Sequence, residues 1–301
     1  MAFSNLICNV ETRLMPIIGY PMAQSSASQV YNKLFELYGL NRIMFPIELQ
    51  PEDLPAFMEA AKLLRIDAFS LTMPLKKGII PLLDHVDPCS RIFHSVNIVK
   101  TVDGETYGAG MDGKGCIGAL LGAGAVLPGS TVVLYGAGSI SGAIIYELVQ
   151  KKVGRIILLN RTLKNAVAVA DTIRENWDFS VEAYEATPEL LDTYAAQADI
   201  FIHTSPLGMY GFPATHSYLG FVEKIRKSCL VMDAIVNPEF TPLLLKAKEC
   251  GLTLVHGLDM MISQMTEIYD FCFGIRPGDA EKAQCRQVLL QYLDSLKPNT
   301  P

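Results

Sequence analysis

The chain has 301 residues, 50% of them apolar, and a formal net charge of −6. This length and apolar content suit two hydrophobic cores, while the negative charge argues against a nucleic-acid partner, and the lack of a long apolar stretch or basic leader argues against a membrane partner or export. Seven cysteines without a CxxC pair and five scattered histidines predict reduced thiols, a cytoplasmic location and no metal site.

Strand-like and helical patterns alternate over the first third of the chain. Apolar stretches typical of strands occur at 15–20, 42–49 and 66–73, and helical patterns lie at 28–38 and 54–64. Such alternation predicts a mainly parallel sheet with helices on both sides.

Residues 131–162 have the pattern of a βαβ unit that holds a dinucleotide. An apolar strand leads into Gly136, Ala137 and Gly138, a helix follows, and a second apolar strand ends at Asn160. Gly136 permits a tight turn, Gly138 lets the backbone approach a pyrophosphate, and the helix N-terminus favours its charge. Ser141 takes the third small position of the motif. Because strand, helix and second strand are all present, this glycine motif is stronger evidence than an isolated one.

The end of the second strand indicates which nicotinamide cofactor is preferred. An NAD site usually has Asp or Glu there, whereas a site for the 2′-phosphate of NADP has Arg. This chain instead has Asn160, Arg161 and Thr162, with Lys164 close behind. A bidentate contact from Arg161 to a phosphate therefore favours NADP, with NAD still possible. The alternative is that Arg161 only caps a loop.

Further strands and helices are predicted beyond residue 162. Apolar segments at 199–205, 229–235 and 252–256 are typical of strands. A helix between the last two has Thr241 as N-cap, Pro242 at its first position and Gly251 past its end. Helical patterns follow Gly257 and cover 279–296.

These elements predict an α/β protein with two α/β lobes and a cleft between them. Residues 1–112 are expected to form a substrate-binding lobe with a mainly parallel sheet, completed by C-terminal helices in 258–301. Residues 113–257 are expected to form a Rossmann lobe that binds NADP.

Polar residues interrupt the predicted strand ends of the first lobe. Ligands of open α/β sheets bind at the carboxyl ends of strands, so these clusters predict a binding site. The clusters occupy residues 19–25, 70–76, 95–97 and 110–113.

An ordered series of motifs resembles the shikimate dehydrogenase family, including its quinate/shikimate dehydrogenases. The motifs are GYPMAQSSAS, SLTMPLKK, SVN, MDG, GAGSIS, NRT, HTSPLGM, DAIVNPEFTPLL and GLDMMISQ, which cover nearly the whole chain. The resemblance implies an NADP-dependent oxidoreductase that interconverts a hydroxyl and a ketone on a small cyclic hydroxy acid. The sequence leaves a monomer and a homodimer both open.

The resemblance also implies roles for individual residues. Lys76 and Asp112 are the expected catalytic pair, and the expected substrate ligands are Ser25, Thr72, Asn97 and Gln264. The expected cofactor-binding residues are Gly136, Ala137, Gly138, Ser139, Ser141, Asn160, Arg161, Thr162, Lys164, Thr204, Met209 and Gly257.

A physical argument supports the pair independently. Hydride transfer from a hydroxyl carbon requires a nearby group that accepts the hydroxyl proton. A partly buried lysine does this, and a carboxylate orients it. The alternative for Lys76 is a solvated lysine beside Lys77 at a helix start. Thr72 is equally a helix cap before Pro74.

Departures from the family pattern fall mainly at the substrate end, and one falls near the nicotinamide side. Ala27 replaces a serine, Val236 a tyrosine, Ser70 an asparagine, Met111 a threonine and His203 an asparagine. Loss of two neutral donors predicts weaker or altered recognition of a substrate carboxylate. Two alternatives stay open: a diverged paralogue acting on a related cyclic alcohol, and an NADP-binding sensor without turnover. His203 is interpreted as a satisfied core histidine.

Overall fold

The computed structural model describes residues 8–22 and 25–296. The chain divides into two compact units. The first unit contains Met1–Gly110 with Ile268–Pro301, and the second contains Met111–Glu267. Among the described residues, no helix combines the length and the apolar character needed to cross a bilayer.

The first unit contains short strands and helices that alternate from residue 13 onward. Its helices are α1 (Ala27–Leu37), α2 (Leu54–Leu63), α3 (Leu75–Gly78) and α4 (Pro88–Phe93). Its strands are β1 (Arg13–Leu14), β2 (Ile17–Gly19), β3 (Arg42–Ile43), β4 (Pro46–Glu48), β5 (Ala68–Leu71), β6 (His85–Val86), β7 (Ile98–Val102) and β8 (Glu105–Ala109).

Six of these strands form one sheet in the order β4-β2-β5-β7-β8-β6. Every pairing is parallel except those of β7, which runs antiparallel to β5 and β8. The predicted mainly parallel sheet is confirmed. The segment 42–49 is not one strand but two, because β3 pairs with β1 and β4 pairs with β2.

The second unit is built around a fully parallel sheet in the order β11-β10-β9-β12-β13-β14. This is the doubly wound order of a Rossmann fold, in which strands after β9 are added on one side of it and, from β12 onward, on the other. Its strands are β9 (Thr131–Tyr135), β10 (Arg155–Asn160), β11 (Val181–Glu185), β12 (Ile200–His203), β13 (Leu230–Asp233) and β14 (Thr253–Val255).

The helices of the second unit are α5 (Asp112–Gly122), α6 (Ser141–Gln150), α7 (Leu163–Asn176), α8 (Pro188–Ala195) and α9 (Pro242–Glu249). They are followed by α10 (Gly257–Phe273), and the last helix, α11 (Asp279–Ser295), belongs to the first unit. The predicted cap of α9 is confirmed: the Thr241 side chain accepts a hydrogen bond from the Leu244 N–H, and Gly251 follows the helix with a φ of +66°.

The limits of the compact units differ from the predicted limits at α10. Residues 257–267 of this helix belong to the second unit, and the rest belongs to the first. Close packing accounts for this division, since a Cβ at Gly115 of α5 would lie 2.7 Å from the Gln264 Cβ. That the first unit binds substrate and the second binds NADP stays a prediction.

Candidate functional site

The glycine turn after β9 is the first part of the site in the second unit. Gly136 has a φ of +125°, and a Cβ there would lie 2.8 Å from the Ser205 nitrogen. Glycine is therefore required at this position by backbone conformation and by packing. The Ser141 hydroxyl, at the start of α6, donates to the Gly136 carbonyl at 2.8 Å, which holds the turn against the helix.

Gly138 differs from Gly136 in its surroundings. The nearest protein atom to a Cβ at Gly138 would be the Thr204 carbonyl oxygen, 3.6 Å away, which is ordinary contact. The fold itself therefore leaves room for a side chain here. Gly138 and Ser139 are exposed just before the N-terminus of α6, where free N–H groups favour an anion. An approaching pyrophosphate gives a reason for glycine that protein packing does not.

Asn160, at the end of β10, ties the glycine turn to its neighbouring strand. Its Oδ1 accepts from the Ala137 N–H at 3.0 Å, and its Nδ2 donates to the Thr162 carbonyl at 2.9 Å. Both ends of the amide thus have partners within the protein. Asn160 therefore holds the glycine turn in place, and its predicted contact with the cofactor stays a prediction.

Arg161 and Lys164 lie exposed just beyond β10. Within residues 8–22 and 25–296, neither takes part in an ion pair of 4.0 Å or less. The positive charge of Arg161 reaches Tyr135, whose pKa is raised by burial and lowered in part by this guanidinium. Two available cations and no carboxylate at this strand end fit the 2′-phosphate of NADP.

The other residues predicted to bind the cofactor lie at the same sheet edge or at the start of α10. Thr204 follows β12, and its hydroxyl donates to the Gly136 carbonyl at 2.8 Å. Met209 is 41% exposed. Gly257 begins α10, where a Cβ would clash with the Ile235 carbonyl oxygen. Packing alone therefore requires glycine at 257, whatever its role toward a ligand.

Three predicted residues of the first unit come together at one edge of its sheet. Thr72 follows β5, and its N–H donates to the Ile18 carbonyl of β2 at 2.9 Å. Lys76, half-buried in α3, accepts at its carbonyl from the Val96 N–H at 3.2 Å. Asn97 is 5% exposed, and its carbonyl accepts from the Leu71 N–H at 3.0 Å.

Asn97 lies at this edge, but not at the carboxyl end of a strand as expected. The segment 95–97 precedes β7 and does not follow a strand. Because β7 is antiparallel to β5, its amino end lies beside the carboxyl end of β5. Ser25 lies just before α1, and its carbonyl accepts from the Tyr292 hydroxyl at 3.4 Å.

Asp112 and Gln264 meet in the second unit. Asp112 is the first residue of α5 and is 7% exposed. The Gln264 amide Nε2 donates to Asp112 Oδ1 at 2.5 Å. This bond orients a nearly buried carboxylate. The glycine at 115 allows it, because α5 and α10 approach closely there.

The hydrogen-bonded chain through His203 was not predicted from the sequence. This residue, replacing the family's usual asparagine, is fully buried between the side chains of Asp233 and Ser205. The interpretation as a satisfied core histidine agrees with these contacts. The only signal in the sequence was a histidine directly before the Thr-Ser-Pro motif.

Comparisons with known proteins agree with this geometry. Residues 17–99 match a model described as the shikimate dehydrogenase substrate binding domain, and residues 119–207 match one described as shikimate / quinate 5-dehydrogenase. A shikimate dehydrogenase (NADP(+)) of Methanocaldococcus jannaschii is 33% identical over 272 residues, which are 90% of this chain and 94% of the relative.

Two solved structures show the same fold. A shikimate 5-dehydrogenase from Listeria monocytogenes, in complex with shikimate and NAD, is 25% identical with a TM-score of 0.86, over 95% of this chain and 100% of that one. A quinate dehydrogenase from Corynebacterium glutamicum, in complex with NAD, is 25% identical with a TM-score of 0.82, over 93% of this chain and 99% of that one. The chain belongs to the shikimate dehydrogenase family.

Proposed function

We propose that the chain is an NADP-dependent shikimate dehydrogenase, an oxidoreductase that converts a ring hydroxyl of shikimate to the ketone and reduces 3-dehydroshikimate in reverse. The observation that carries the proposal is the similarity to an NADP-dependent relative over 94% of that relative's length. The glycine turn beside two exposed cations supports it independently.

The cofactor supplies the hydride acceptor when it is bound. The turn at Gly136–Gly138 and the N-terminus of α6 hold the pyrophosphate, with Ser139, Ser141 and Thr204 around them. Arg161 and Lys164 bind the 2′-phosphate, and Asn160 and Thr162 shape the end of β10. Met209 and Gly257 complete the set that binds NADP.

Lys76 accepts the hydroxyl proton as the carbon loses hydride, and returns it in the reverse reaction. Lys76 is half-buried in α3, which restricts the positions that its side chain can take. Asp112 accepts a hydrogen bond from a ring hydroxyl and orients it. Its own orientation is held by the Gln264 amide.

Ser25, Thr72, Asn97 and Gln264 bind the ring through hydroxyl and amide groups. Ala27 and Val236 supply no side-chain hydrogen-bond donor to the substrate carboxylate. Each missing donor weakens binding by about 0.5 to 1.5 kcal/mol. A high KM for shikimate is therefore expected, without loss of the chemistry at Lys76 and Asp112.

An assay of NADPH formation tests the proposal. Purified protein is given shikimate, quinate or a neutral cyclic polyol with either NADP or NAD, and absorbance of the reduced cofactor is followed. Shikimate with NADP is expected to give the highest kcat/KM. Tight NADP binding without turnover of any ring alcohol would identify a sensor and contradict the proposal.

The same proposal includes a cytoplasmic, monomeric or homodimeric protein without nucleic-acid or membrane partners. None of the seven cysteines, all of them described, is in a disulfide, as a reducing compartment favours.

A further inference from the structure

His203 links two side chains at the end of the parallel sheet of the second unit. It is the last residue of β12 and is fully buried. Its Nδ1 lies 3.0 Å from Asp233 Oδ1, and its Nε2 lies 2.6 Å from Ser205 Oγ. Asp233 ends β13 directly opposite His203 in the register. The three side chains therefore form a continuous hydrogen-bonded relay, Asp233–His203–Ser205.

The contacts of Asp233 assign a proton to Nδ1 of His203. Its Oδ1 also accepts from the Ile235 N–H at 3.1 Å, and its Oδ2 accepts from the Thr241 hydroxyl at 2.6 Å. A carboxylate whose oxygens accept on every side requires a donor at His203 Nδ1. In the neutral ring Nε2 is then an acceptor, so Ser205 donates its hydroxyl proton to it.

Because the Ser205 hydroxyl donates its proton to His203, its oxygen can only accept further hydrogen bonds. The Leu207 N–H approaches this oxygen at 3.4 Å, a long contact that leaves acceptor capacity. Ser205 is half-buried, and so is Thr204 before it, which is bonded to the glycine turn. The relay therefore ends at an accepting oxygen beside the turn proposed to hold the dinucleotide.

We propose that Ser205 Oγ accepts a hydrogen bond from the carboxamide NH2 of the nicotinamide, and that His203 is the positioning residue that keeps this oxygen an acceptor. The inference rests on the proposed function, since it concerns the same NADP site. The carboxamide is the one hydrogen-bond donor on the nicotinamide ring itself. A hydroxyl that already donates to His203 can bind a ligand only through a hydrogen-bond donor of that ligand.

The relay has the contact pattern of a serine hydrolase triad, but one part of that machinery is missing. Hydrolases stabilise the oxyanion with backbone N–H groups, often that of the residue after the serine. Pro206 follows Ser205 and has no N–H. Binding through Ser205 therefore fits the site, and nucleophilic attack does not.

Two substitutions test the roles of His203 and Ser205 separately. His203→Asn keeps an amide donor for Asp233 and removes the acceptor for the Ser205 hydroxyl. Ser205→Ala removes the oxygen itself with a minimal change of shape. His85→Asn is the control, since His85 is exposed and paired with Glu105 in the first unit.

The measurement compares equilibrium dissociation constants for NADP and for its 3-acetylpyridine analogue, in which a methyl ketone replaces the carboxamide. The wild type and His85→Asn are expected to bind NADP about three- to tenfold more tightly than the analogue. In Ser205→Ala and His203→Asn this ratio is expected to fall to about one, and the double variant is expected to equal each single variant.

Other outcomes overturn the inference. A ratio unchanged in Ser205→Ala contradicts it even when His203→Asn does not fold, and so does equal weakening of both dinucleotides. Labelling of Ser205 by a fluorophosphonate would show a nucleophile instead. A wild-type protein that binds no NADP would overturn the proposed function as well, whereas NADP binding with no preference for the carboxamide overturns this inference alone.

Discussion

Arg161 is the residue proposed to select NADP over NAD. It is exposed beyond β10 and, among the described residues, forms no ion pair that competes for a phosphate. Its guanidinium is therefore available for a bidentate contact. NAD has no phosphate at this position, so the proposed role of Arg161 predicts a contribution to the binding of NADP and none to that of NAD.

Arg161→Ala is expected to weaken NADP binding about 10- to 100-fold and to leave NAD binding nearly unchanged, because a hydrogen bond to a charged group is worth about 1.5 to 3 kcal/mol. Fluorescence titration of both dinucleotides measures the effect. The control is Arg174→Ala, since Arg174 is exposed on α7 and paired with Asp171. Equal losses for NADP and NAD, or none, would show that Arg161 only caps a loop.

Residue types and their order predicted much of the candidate site, because glycine, arginine and lysine have specific chemistry at a strand end. The relay through His203 was not predictable in the same way. Its partners are 30 residues and 2 residues away in sequence, and only the register of β12 with β13 brings Asp233 opposite His203. Sheet register over that separation is not encoded in a local pattern.

The contact between α5 and α10 shows how one glycine fixes the position of two helices. A Cβ at Gly115 would lie 2.7 Å from the Gln264 Cβ and 2.9 Å from the Met260 carbonyl oxygen. Both neighbours belong to or adjoin the helix backbone, so neither moves freely. The same approach places Gln264 within hydrogen-bond distance of Asp112.

Gly115→Ala is expected to lower the free energy of unfolding by about 1 to 3 kcal/mol, because the added methyl group forces the helices apart. Gly122→Ala is the matched control at the end of the same helix, where no atom lies within 4 Å of the added Cβ. It is expected to be neutral or to stabilise by up to about 1 kcal/mol. Urea unfolding measures the free energy of unfolding of both variants. Similar changes in the two variants would contradict the packing argument.

Helices and strands were predicted correctly where residues close in sequence determine them. They were missed where pairing with another strand determines them. The cap at Thr241 and the glycine at 251 marked α9, because both act within one turn of the helix. The hairpin of β7 and β8 was not predicted. Its turn at Asp103 and Gly104 has positive φ at both residues, which an Asp-Gly pair favours, but the strands on either side carry charged and polar residues.

The stability of the whole molecule is expected to depend on pH through His216. Burial, and next the neighbouring His203, lower the pKa of His216 from 6.5 to about 4. The unfolded chain therefore takes up a proton near pH 6.5, while the folded chain resists it until about pH 4. Unfolding is favoured progressively as pH falls through this window, and above it His216 contributes no pH dependence.

His216→Phe keeps an aromatic ring against Tyr135 and His203 and removes the titrating group. Between pH 7.5 and pH 5, the wild type is expected to lose about 1 to 2 kcal/mol more unfolding free energy than this variant. Urea unfolding at both pH values gives the difference, with His85→Phe as an exposed control. Parallel pH curves for wild type and His216→Phe would contradict the shifted pKa.

The central claim for the whole molecule is that Lys76 moves the proton while NADP takes the hydride. Lys76→Ala is expected to lower kcat for shikimate oxidation about 10²- to 10⁴-fold with the NADP dissociation constant unchanged. Lys77→Ala, which alters the exposed neighbour in the same helix, is expected to retain the wild-type kcat. A Lys76→Ala enzyme that oxidises shikimate at the full rate would contradict the account.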